Sequence, residues 1–168
     1  MIRTPSPLAL HVEEITIEAC LPLRRVVLWP DLTEDACRVP EDPVALHLGA
    51  VTGAGHGKRL VGCLSLCPVG ANAVQLRKFA VLSEFQKQGI GTALMEAALL
   101  RTEASGARSL CLDARIGAIP FYRRFGLNGS GAPFLKGSME HLRMEIPLPR
   151  ETGPGRGCRL SPASLGEG

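Results

Sequence analysis

The segment at residues 86–93, Gln-Lys-Gln-Gly-Ile-Gly-Thr-Ala, constrains the fold most, because it joins two stretches of different hydrophobic periodicity. Before it, residues 73–82 form a largely apolar run of the length of a strand. After it, apolar side chains recur at helical spacing, at Ile90, Ala93, Leu94, Ala97 and Ala98. Gly106 is suited to end that helix. The pattern therefore predicts a strand, a glycine-rich turn and an amphipathic helix in direct succession.

The rest of the chain predicts a mixed α+β fold around one sheet. Three apolar runs joined by short glycine-rich turns predict an antiparallel meander, with strands at 44–51, 59–67 and 73–82. Other alternating segments predict strands at 15–20, 108–114 and 140–148. Short helices are expected at 22–29, with Pro22 in its first turn, and at 117–125. Residues 129–138 contain several glycines, and we expect a loop there.

The length of 168 residues is usual for one domain, and 45% hydrophobic with 21% charged residues is typical of a globular chain. We interpret residues 1–11 as a loose lead-in and 12–148 as the folded domain. Residues 149–168 are rich in Gly and Pro and predict a disordered tail.

The charge pattern disfavours several classes of partner. The net charge of +3 comes from 19 basic and 16 acidic residues that are spread evenly, unlike the basic patch of a nucleic-acid-binding protein. No apolar run approaches the roughly 20 residues of a membrane helix, and His11, Glu13 and Glu14 interrupt any signal-peptide core. We therefore expect a cytoplasmic monomer or homodimer without a nucleic-acid or membrane partner.

The six cysteines do not indicate a metal site. They form no Cys-x-x-Cys pair, and Cys63 and Cys67 have no matching Cys or His pair at zinc spacing. We expect free thiols in a reducing cytosol, several of them as small core residues, and no metal.

The glycine-rich turn has the features of an anion-binding site. A helix N-terminus offers unpaired N–H groups and the positive end of the helix dipole, and glycine lets a phosphate approach the backbone. The Gly-Lys-Ser/Thr of a Walker loop is absent, and Leu94 stands where a dinucleotide-binding fingerprint needs its third glycine. The alternative is a helix start that happens to carry glycines.

The chain contains Gln86-x-x-Gly89-x-Gly91 in the glycine-rich turn and Ala118-x-x-Phe121-Tyr122-x-x-x-Gly126 later in the sequence. These two motifs and the C-terminal strand resemble the GNAT superfamily of N-acetyltransferases. The family signatures are Gln/Arg-x-x-Gly-x-Gly/Ala at the start of the central helix and Ala-x-x-Phe-Tyr-x-x-x-Gly-Phe later in the chain. This sequence matches them at Gln86, Gly89, Gly91, Ala118, Phe121, Tyr122 and Gly126. The segment from Phe134 to Met144 is similar to the ending of one bacterial and fungal subgroup. The resemblance covers about residues 12–148.

The resemblance implies a mostly antiparallel sheet of six to seven strands, flanked by helices and splayed between the fourth and fifth strands. It implies acetyl-CoA as the co-substrate. The CoA pyrophosphate is expected at the N–H groups of 88–92, with charge from Lys87 or Arg124, and the pantetheine along 79–81. The implied cofactor-binding residues are Phe79, Ala80, Val81, Gln86, Lys87, Gln88, Gly89, Ile90, Gly91 and Thr92. Arg115 departs from the family, because many relatives carry Asn there.

The resemblance also implies catalytic roles. Tyr122 matches the family's tyrosine and is expected to be the general acid for the departing CoA thiolate; the alternative is aromatic packing with Phe121 and Phe125. A phenol of pKa ~10 facing a thiol of pKa ~8.5 makes complete proton transfer uphill by roughly 2 kcal/mol. The backbone N–H of Val81 is expected to stabilise the oxyanion.

The general base is not determined by the sequence. Related proteins often carry a Glu on the fourth strand, where this chain has Leu76-Arg77-Lys78. The candidates are His47, His141, Glu84 and Asp113, or a water chain without a single base. Among them, His141 matches the terminal His of the subgroup, and we select it.

The acceptor is expected to be a primary amine, of a small molecule rather than a protein. Five acids in the loop before residue 44 suggest attraction of a cationic amine, although an ordinary solvated loop with helix-capping acids is the better explanation: Asp31, Glu34, Asp35, Glu41 and Asp42. Trp29 is expected to close the core rather than to line an acceptor pocket. Because the usual Glu is absent, the alternative to an enzyme is a non-catalytic CoA-binding or regulatory module of the same fold.

Overall fold

The alternating apolar segments pair into one seven-stranded sheet in the computed structural model, which describes residues 9–150. The strands are β1 Leu10–Ile15, β2 Leu46–Thr52, β3 Arg59–Val69, β4 Ala73–Val81, β5 Ser109–Arg115, β6 Asn128–Lys136 and β7 Met139–Pro147. The helices are α1 Ile17–Val27, α2 Ile90–Ala104 and α3 Ile119–Arg123, and several 3₁₀ turns lie in the connections. No helix among the described residues is long and apolar enough to cross a bilayer.

The strand order is β1-β2-β3-β4-β5-β7-β6, and β4 with β5 is the parallel pair of the sheet. The other neighbouring strands pair antiparallel. This architecture confirms the predicted mixed α+β fold, including the mostly antiparallel sheet of six to seven strands. β4 and β5 pair only between 73–75 and 109–111, so the sheet opens beyond Gln75, as the resemblance implied.

Helix α2 covers one face of the sheet because its apolar side is wide. Its buried residues pack on strands β1 to β5 and include Leu94, Met95, Ala98 and Leu99. Gly62 in β3 allows this close approach, because a Cβ there would lie 2.9 Å from Leu94 Cδ1. The helix begins at Gly89, whose φ of 83° is unfavourable for residues with a side chain. The periodicity of the sequence predicted this helix and its start.

Helix α1 is a correction to the predicted strand at 15–20 and helix at 22–29. Thr16 caps α1 by accepting a hydrogen bond from the Ala19 N–H at 3.2 Å, so the helix starts five residues before Pro22. The alternation that suggested a strand is the junction of β1 and the first helical turn. The buried residues of α1 are Cys20, Leu21, Leu23 and Arg24, which recur at helical spacing.

The predicted loop at 129–138 is also corrected. Most of this segment belongs to β6, an edge strand paired with β7. Its register is interrupted between Ser130 and Phe134, where Pro133 lies. A proline is tolerated in an edge strand at an irregularity, because it interrupts no regular ladder there.

The ends of the chain are described only in part. The expected lead-in at 1–11 overlaps β1, where Leu10 pairs with Thr52, and residues 1–8 lie outside the described part. At the other end, the Arg150 N–H donates to the Glu103 carboxylate in α2 at 3.1 Å. The predicted tail otherwise falls on residues 151–168, which are also outside the described part.

Candidate active site

A cleft of about 1160 Å³ opens where β4 separates from β5. The start of α2 and helix α3 form one end of it, and the segment after α1 with strands β6 and β7 forms the other. The predicted site residues that line it are Phe79, Ala80, Val81, Gln86, Lys87, Gly89, Gly91, Thr92, Tyr122 and His141. The structure thus brings together ten of the predicted positions from five separate elements.

The N-terminus of α2 presents free donors to this cleft. The N–H groups of Ile90, Gly91 and Thr92 have no acceptor among the described residues, since the first intrahelical bond runs from Ala93 to the Gly89 carbonyl at 3.0 Å. No side chain caps the helix. Three free N–H groups and the positive end of a 15-residue helix fit a bound phosphate.

Two cations flank these donors. Lys87 and Arg124 both line the cleft, and Arg124 Nη2 donates to the Thr92 hydroxyl at 3.4 Å. Arg124 also lies over the Phe121 ring, 5.4 Å from its centroid, which restrains the side chain. This end of the cleft can therefore hold a multiply charged anion.

Two predicted cofactor-binding residues do not line the cleft. Gln88 donates its side-chain amide to the Glu84 carbonyl at 2.9 Å and stabilises the turn. Ile90 is buried in the core below α2, so its backbone N–H is the group it can offer.

The free edge of β4 lines the floor of the cleft. The Leu82 N–H donates to the Val61 carbonyl at 2.9 Å, on the side of β3. Successive residues of a strand direct their N–H groups to opposite edges, so the Val81 N–H points into the cleft. On the same edge, the Val81 carbonyl accepts a hydrogen bond from Gln86 Nε2 at 3.2 Å. Gln86 thereby ties the glycine-rich turn to the strand.

Tyr122 lies in α3 beside this edge, within an aromatic cluster. Its ring packs edge-to-face on Phe121 with 5.1 Å between centroids, and Phe121 contacts Phe79 and Phe125. Tyr122 lines the cleft, and its hydroxyl makes no hydrogen bond among the described residues. Burial raises the pKa of Tyr122 to about 12. Tyr122 therefore remains a neutral donor near neutral pH.

Only two of the four candidate bases line the cleft. His47 is buried elsewhere, with Nδ1 2.7 Å from the Ser65 hydroxyl and Nε2 3.2 Å from the Asp42 carbonyl. Glu84 is an exposed residue that pairs with Arg59 at 2.9 Å. The two that remain are Asp113 and His141.

Asp113 is engaged by two cations, Lys136 and Arg143. Burial would raise the pKa of Asp113, but the hydrogen bonds and charges of these cations outweigh it and lower the pKa. A carboxylate held in this way is a weak base. His141 is different, because its Nδ1 lies 2.9 Å from the Met139 carbonyl, which can only accept. Nδ1 therefore carries the proton in the neutral ring, and Nε2 keeps a lone pair.

The far end of the cleft contains an aromatic residue and a cation. Trp29 is half-buried and lines the cleft, so the expectation that it closes the core is wrong. Lys78 Nζ lies 4.6 Å from the centroid of its ring. No sequence pattern predicts this contact, because it depends on a bulge. Lys78 has a φ of 54°, and the register of β4 against β3 shifts around it.

The acidic loop does not face the cleft. Asp42 is buried against Arg24, Glu41 pairs with Arg77, and Asp35 pairs with Arg38. Neither these three acids nor the other two of the loop line the cleft. The structure therefore does not support the hypothesis that this loop draws a cationic amine into the site. Among residues 9–150, no three His, Cys, Asp or Glu side chains are placed to hold a metal ion.

The sequence profile described as acetyltransferase (GNAT) domain matches residues 48–126, which include β4, the glycine-rich turn and Tyr122. An uncharacterized N-acetyltransferase of Bacillus subtilis, YitI, is 26% identical over 144 residues, which are 80% of this chain and 94% of that protein. Residues 48–126 of this chain are thus identified as a GNAT acetyltransferase domain. The prediction of the family and of an acyltransferase is thereby confirmed.

Solved GNAT structures share the fold. One from Elizabethkingia anophelis, with acetyl-CoA bound, superposes with a TM-score of 0.64 at 16% identity and covers 83% of this chain and 98% of its own. An acyl-CoA N-acyltransferase from Pseudomonas aeruginosa superposes with a TM-score of 0.65 at 24% identity, over 82% of this chain and 98% of its own.

The fourth strand brings two cations to the far end of the cleft, Arg77 and Lys78. Arg77 is neutralised by Glu41, whereas Lys78 lies over the Trp29 ring.

Proposed function

We propose that this GNAT protein is an acetyl-CoA-dependent N-acetyltransferase that acts on a primary amine of a small molecule. The observation that carries the proposal is the continuity of three features. The free edge of β4 leads to the unpaired N–H groups of α2, and Tyr122 lines the same cleft. A molecule with a peptide-like arm and a pyrophosphate matches such a surface.

The residues present fit CoA. The Ile90, Gly91 and Thr92 N–H groups would hold the pyrophosphate, with Lys87 and Arg124 supplying charge. The pantetheine would pair with the backbone of 79–81. The bound acetyl-CoA in a protein of the same fold supports this assignment.

The reaction requires a neutral amine that attacks the thioester carbonyl carbon. We assign Nε2 of His141 the role of accepting a proton from the amine, since His141 lines the cleft and its Nδ1 is the nitrogen engaged by the Met139 carbonyl. The Val81 N–H would stabilise the oxyanion of the tetrahedral intermediate. When the intermediate collapses, the C–S bond breaks and the thiolate leaves beside Tyr122.

The raised pKa of Tyr122 refines its role. With a pKa of about 12 against a thiol near 8.5, complete proton transfer is uphill by about 5 kcal/mol. We therefore assign Tyr122 a short hydrogen bond to the thiolate sulfur, with transfer completed as CoA leaves or by water. A buried donor without another partner is well suited to that task, because it loses no other hydrogen bond.

The test combines binding and turnover. Acetyl-CoA should raise the melting temperature, whereas ATP and NAD, which lack the pantetheine, should raise it much less; a ligand at 100 times its Kd adds about 2.7 kcal/mol. A panel of primary amines should then release CoA thiol. Binding of acetyl-CoA with no turnover of any amine would favour the non-catalytic CoA-binding module. No stabilisation by acetyl-CoA would contradict both alternatives.

A further inference from the structure

The face of the sheet at the far end of the cleft has no covering helix. Helix α1 packs on β2, β3 and β4, and α2 packs on the opposite face. Strands β5, β7 and β6 continue beyond α1 and expose a groove beside Trp29. The groove adjoins the unpaired edge of β4, so an acceptor that meets a thioester on β4 would lie here.

Cations outnumber carboxylates in this groove. Lys78, Arg115 and Lys136 line it, and one carboxylate, Asp113, is shared between Lys136 and Arg143. Lys78 and Arg115 form no ion pair with any carboxylate among the described residues. The excess positive charge is therefore available to a ligand.

Lys78 is held close to the other cations although this is electrostatically unfavourable. Burial lowers the pKa of Lys78, and the charges of Arg77, Arg24 and Lys136 lower it further. Its backbone is in the left-handed region and its ammonium lies over the Trp29 ring, so the position is fixed by the bulge. Arg77, Arg24 and Lys136 each have a carboxylate partner, whereas Lys78 forms no ion pair among the described residues. A cation fixed in a cleft without a counter-charge is available to an anionic ligand.

The CoA phosphates are not the anion that these cations serve. The phosphate donors of α2 lie at the other end of the cleft and have their own cations, Lys87 and Arg124. Lys136 comes from β6, at the edge of the sheet, and is anchored by Asp113 of β5. The two groups of cations are thus carried by separate elements of the fold.

We propose that the acceptor of this enzyme carries an anionic group, a carboxylate or a phosphate, beside its primary amine. Lys78 and Lys136 bind the anion, and the Trp29 ring forms one wall of the site. The inference rests on the proposed acetyl transfer and names the class of its substrate. Amines without an acidic group, such as polyamines, meet an unfavourable potential in this groove.

The same charges favour the chemistry. A positive potential lowers the pKa of a bound ammonium group, so more of the amine is neutral at a given pH. The anion of the acceptor keeps the molecule bound while its amine loses the proton. The cations therefore act on both binding and reactivity.

Trp29 is the single tryptophan of the chain, so its fluorescence reports on this groove directly. The probes are N-acetylglycine, its uncharged amide N-acetylglycinamide, and N-acetylated phosphoethanolamine with N-acetylethanolamine as its neutral partner. Each is titrated in the presence of CoA. Comparison of the carboxylate pair of probes with the phosphate pair shows which of the two anionic groups the site binds.

The expected result is a saturable change in Trp29 emission with at least one anionic probe, at least about tenfold tighter than its neutral partner. Lys136→Gln and Lys78→Gln should each weaken that binding by about tenfold. Lys58→Gln, which removes an exposed cation outside the cleft, is the matched control and should leave binding unchanged.

Equal binding of anionic and neutral partners, or no saturable change with any anionic probe, would overturn the inference. The failure of the proposed function has a different signature. Anion binding that is sensitive to Lys136→Gln, without release of CoA thiol from acetyl-CoA and any amine, would support the anion site and contradict the proposed acetyl transfer. Turnover of uncharged amines in preference to their anionic partners would support the proposed acetyl transfer and contradict the anion site.

Discussion

The guanidinium of Arg24 holds the carboxylate of Asp42 through two hydrogen bonds of 2.8 Å, and both side chains are buried. Arg24 also donates to the Cys37 carbonyl and the Ser65 hydroxyl, and Ser65 contacts His47. The pair thus joins α1, the loop before β2 and two strands of the sheet. It fixes the loop whose acids we first associated with the acceptor.

Asp42→Asn should therefore destabilise the fold, although Asp42 does not line the cleft. Removing one member of a buried ion pair leaves an uncompensated charge and costs about 3–5 kcal/mol. The free energy of unfolding in urea measures this directly. Asp35→Asn, which removes an exposed partner of Arg38, is the control and should change stability little. Equal stability of Asp42→Asn and the wild type would contradict the role of the pair.

Acid should remove the advantage of the wild type over Asp42→Asn. Burial would raise the pKa of Asp42, but its hydrogen bonds from Arg24 and Val39 lower it. A carboxylate with a lowered pKa in the folded state stabilises the fold above its unfolded pKa, near 3.9, and loses that contribution as the pH falls further. The difference in unfolding free energy should be constant from pH 7 to 5 and shrink below about pH 4. A difference that grows on acidification would reverse the sign we assign.

Tyr122→Phe should lower kcat with little change in the KM for acetyl-CoA. The substitution keeps the ring on Phe121 and removes only the hydroxyl, and loss of a general acid or hydrogen-bond donor typically costs about 10²-fold or more. Because burial raises the pKa of Tyr122 to about 12, the wild-type rate should show no loss from Tyr122 ionisation up to pH 10. Unchanged kcat in the variant would remove Tyr122 from the mechanism.

His141→Gln should lower kcat/KM for the amine by about 10²-fold, because glutamine has no basic nitrogen. The limb of the pH profile that reports protonation of the base should disappear with it. A purely structural role, through the stacking of His141 on Phe134 at 6.1 Å, would lower the rate without changing the shape of the profile. An unaltered profile would leave a water chain as the proton acceptor.

Gly89→Asp should weaken acetyl-CoA binding more than Gly89→Asn. No atom lies within 4 Å of a Cβ at this position, so both side chains fit, and Asn and Asp tolerate a positive φ better than other residues. The two differ only in a charge that would repel the pyrophosphate at the start of α2, by about tenfold in Kd. Equal binding by both variants would place the pyrophosphate elsewhere.

The sequence predicted the parts of the fold that depend on local pattern. The helical spacing after Gly89 and the alternating strands around it follow directly from side-chain burial, and the structure confirms the mostly antiparallel sheet that the resemblance implied. The start of helix α1 was predicted five residues too late because Ile15 and Ile17 alternate like a strand, although Thr16 is a helix cap. Strand β6 was interpreted as a loop because its segment contains several glycines. An edge strand tolerates glycine and proline, which a central strand does not.

The far end of the cleft could not be predicted, because it depends on contacts between distant segments. Lys78 contacts the Trp29 ring because of a bulge in β4. Asp113 forms an ion pair with Lys136, which lies 23 residues later in the chain. Neither relationship leaves a periodic pattern in the sequence. The acids before β2 form a cluster in the sequence. Their ion pairs with Arg24 and Arg77, which only the tertiary structure shows, make Asp42 and Glu41 partners of these cations rather than groups that face the cleft.

The most direct test of the account is transfer of an isotopically labelled acetyl group from acetyl-CoA to a mixture of primary amines, followed by mass spectrometry and CoA thiol release. We predict labelled N-acetylated products from the wild type, formed in step with free CoA, and strongly reduced amounts from Tyr122→Phe. Stabilisation by acetyl-CoA without any labelled amine, or equal labelling by the wild type and Tyr122→Phe, would contradict the account.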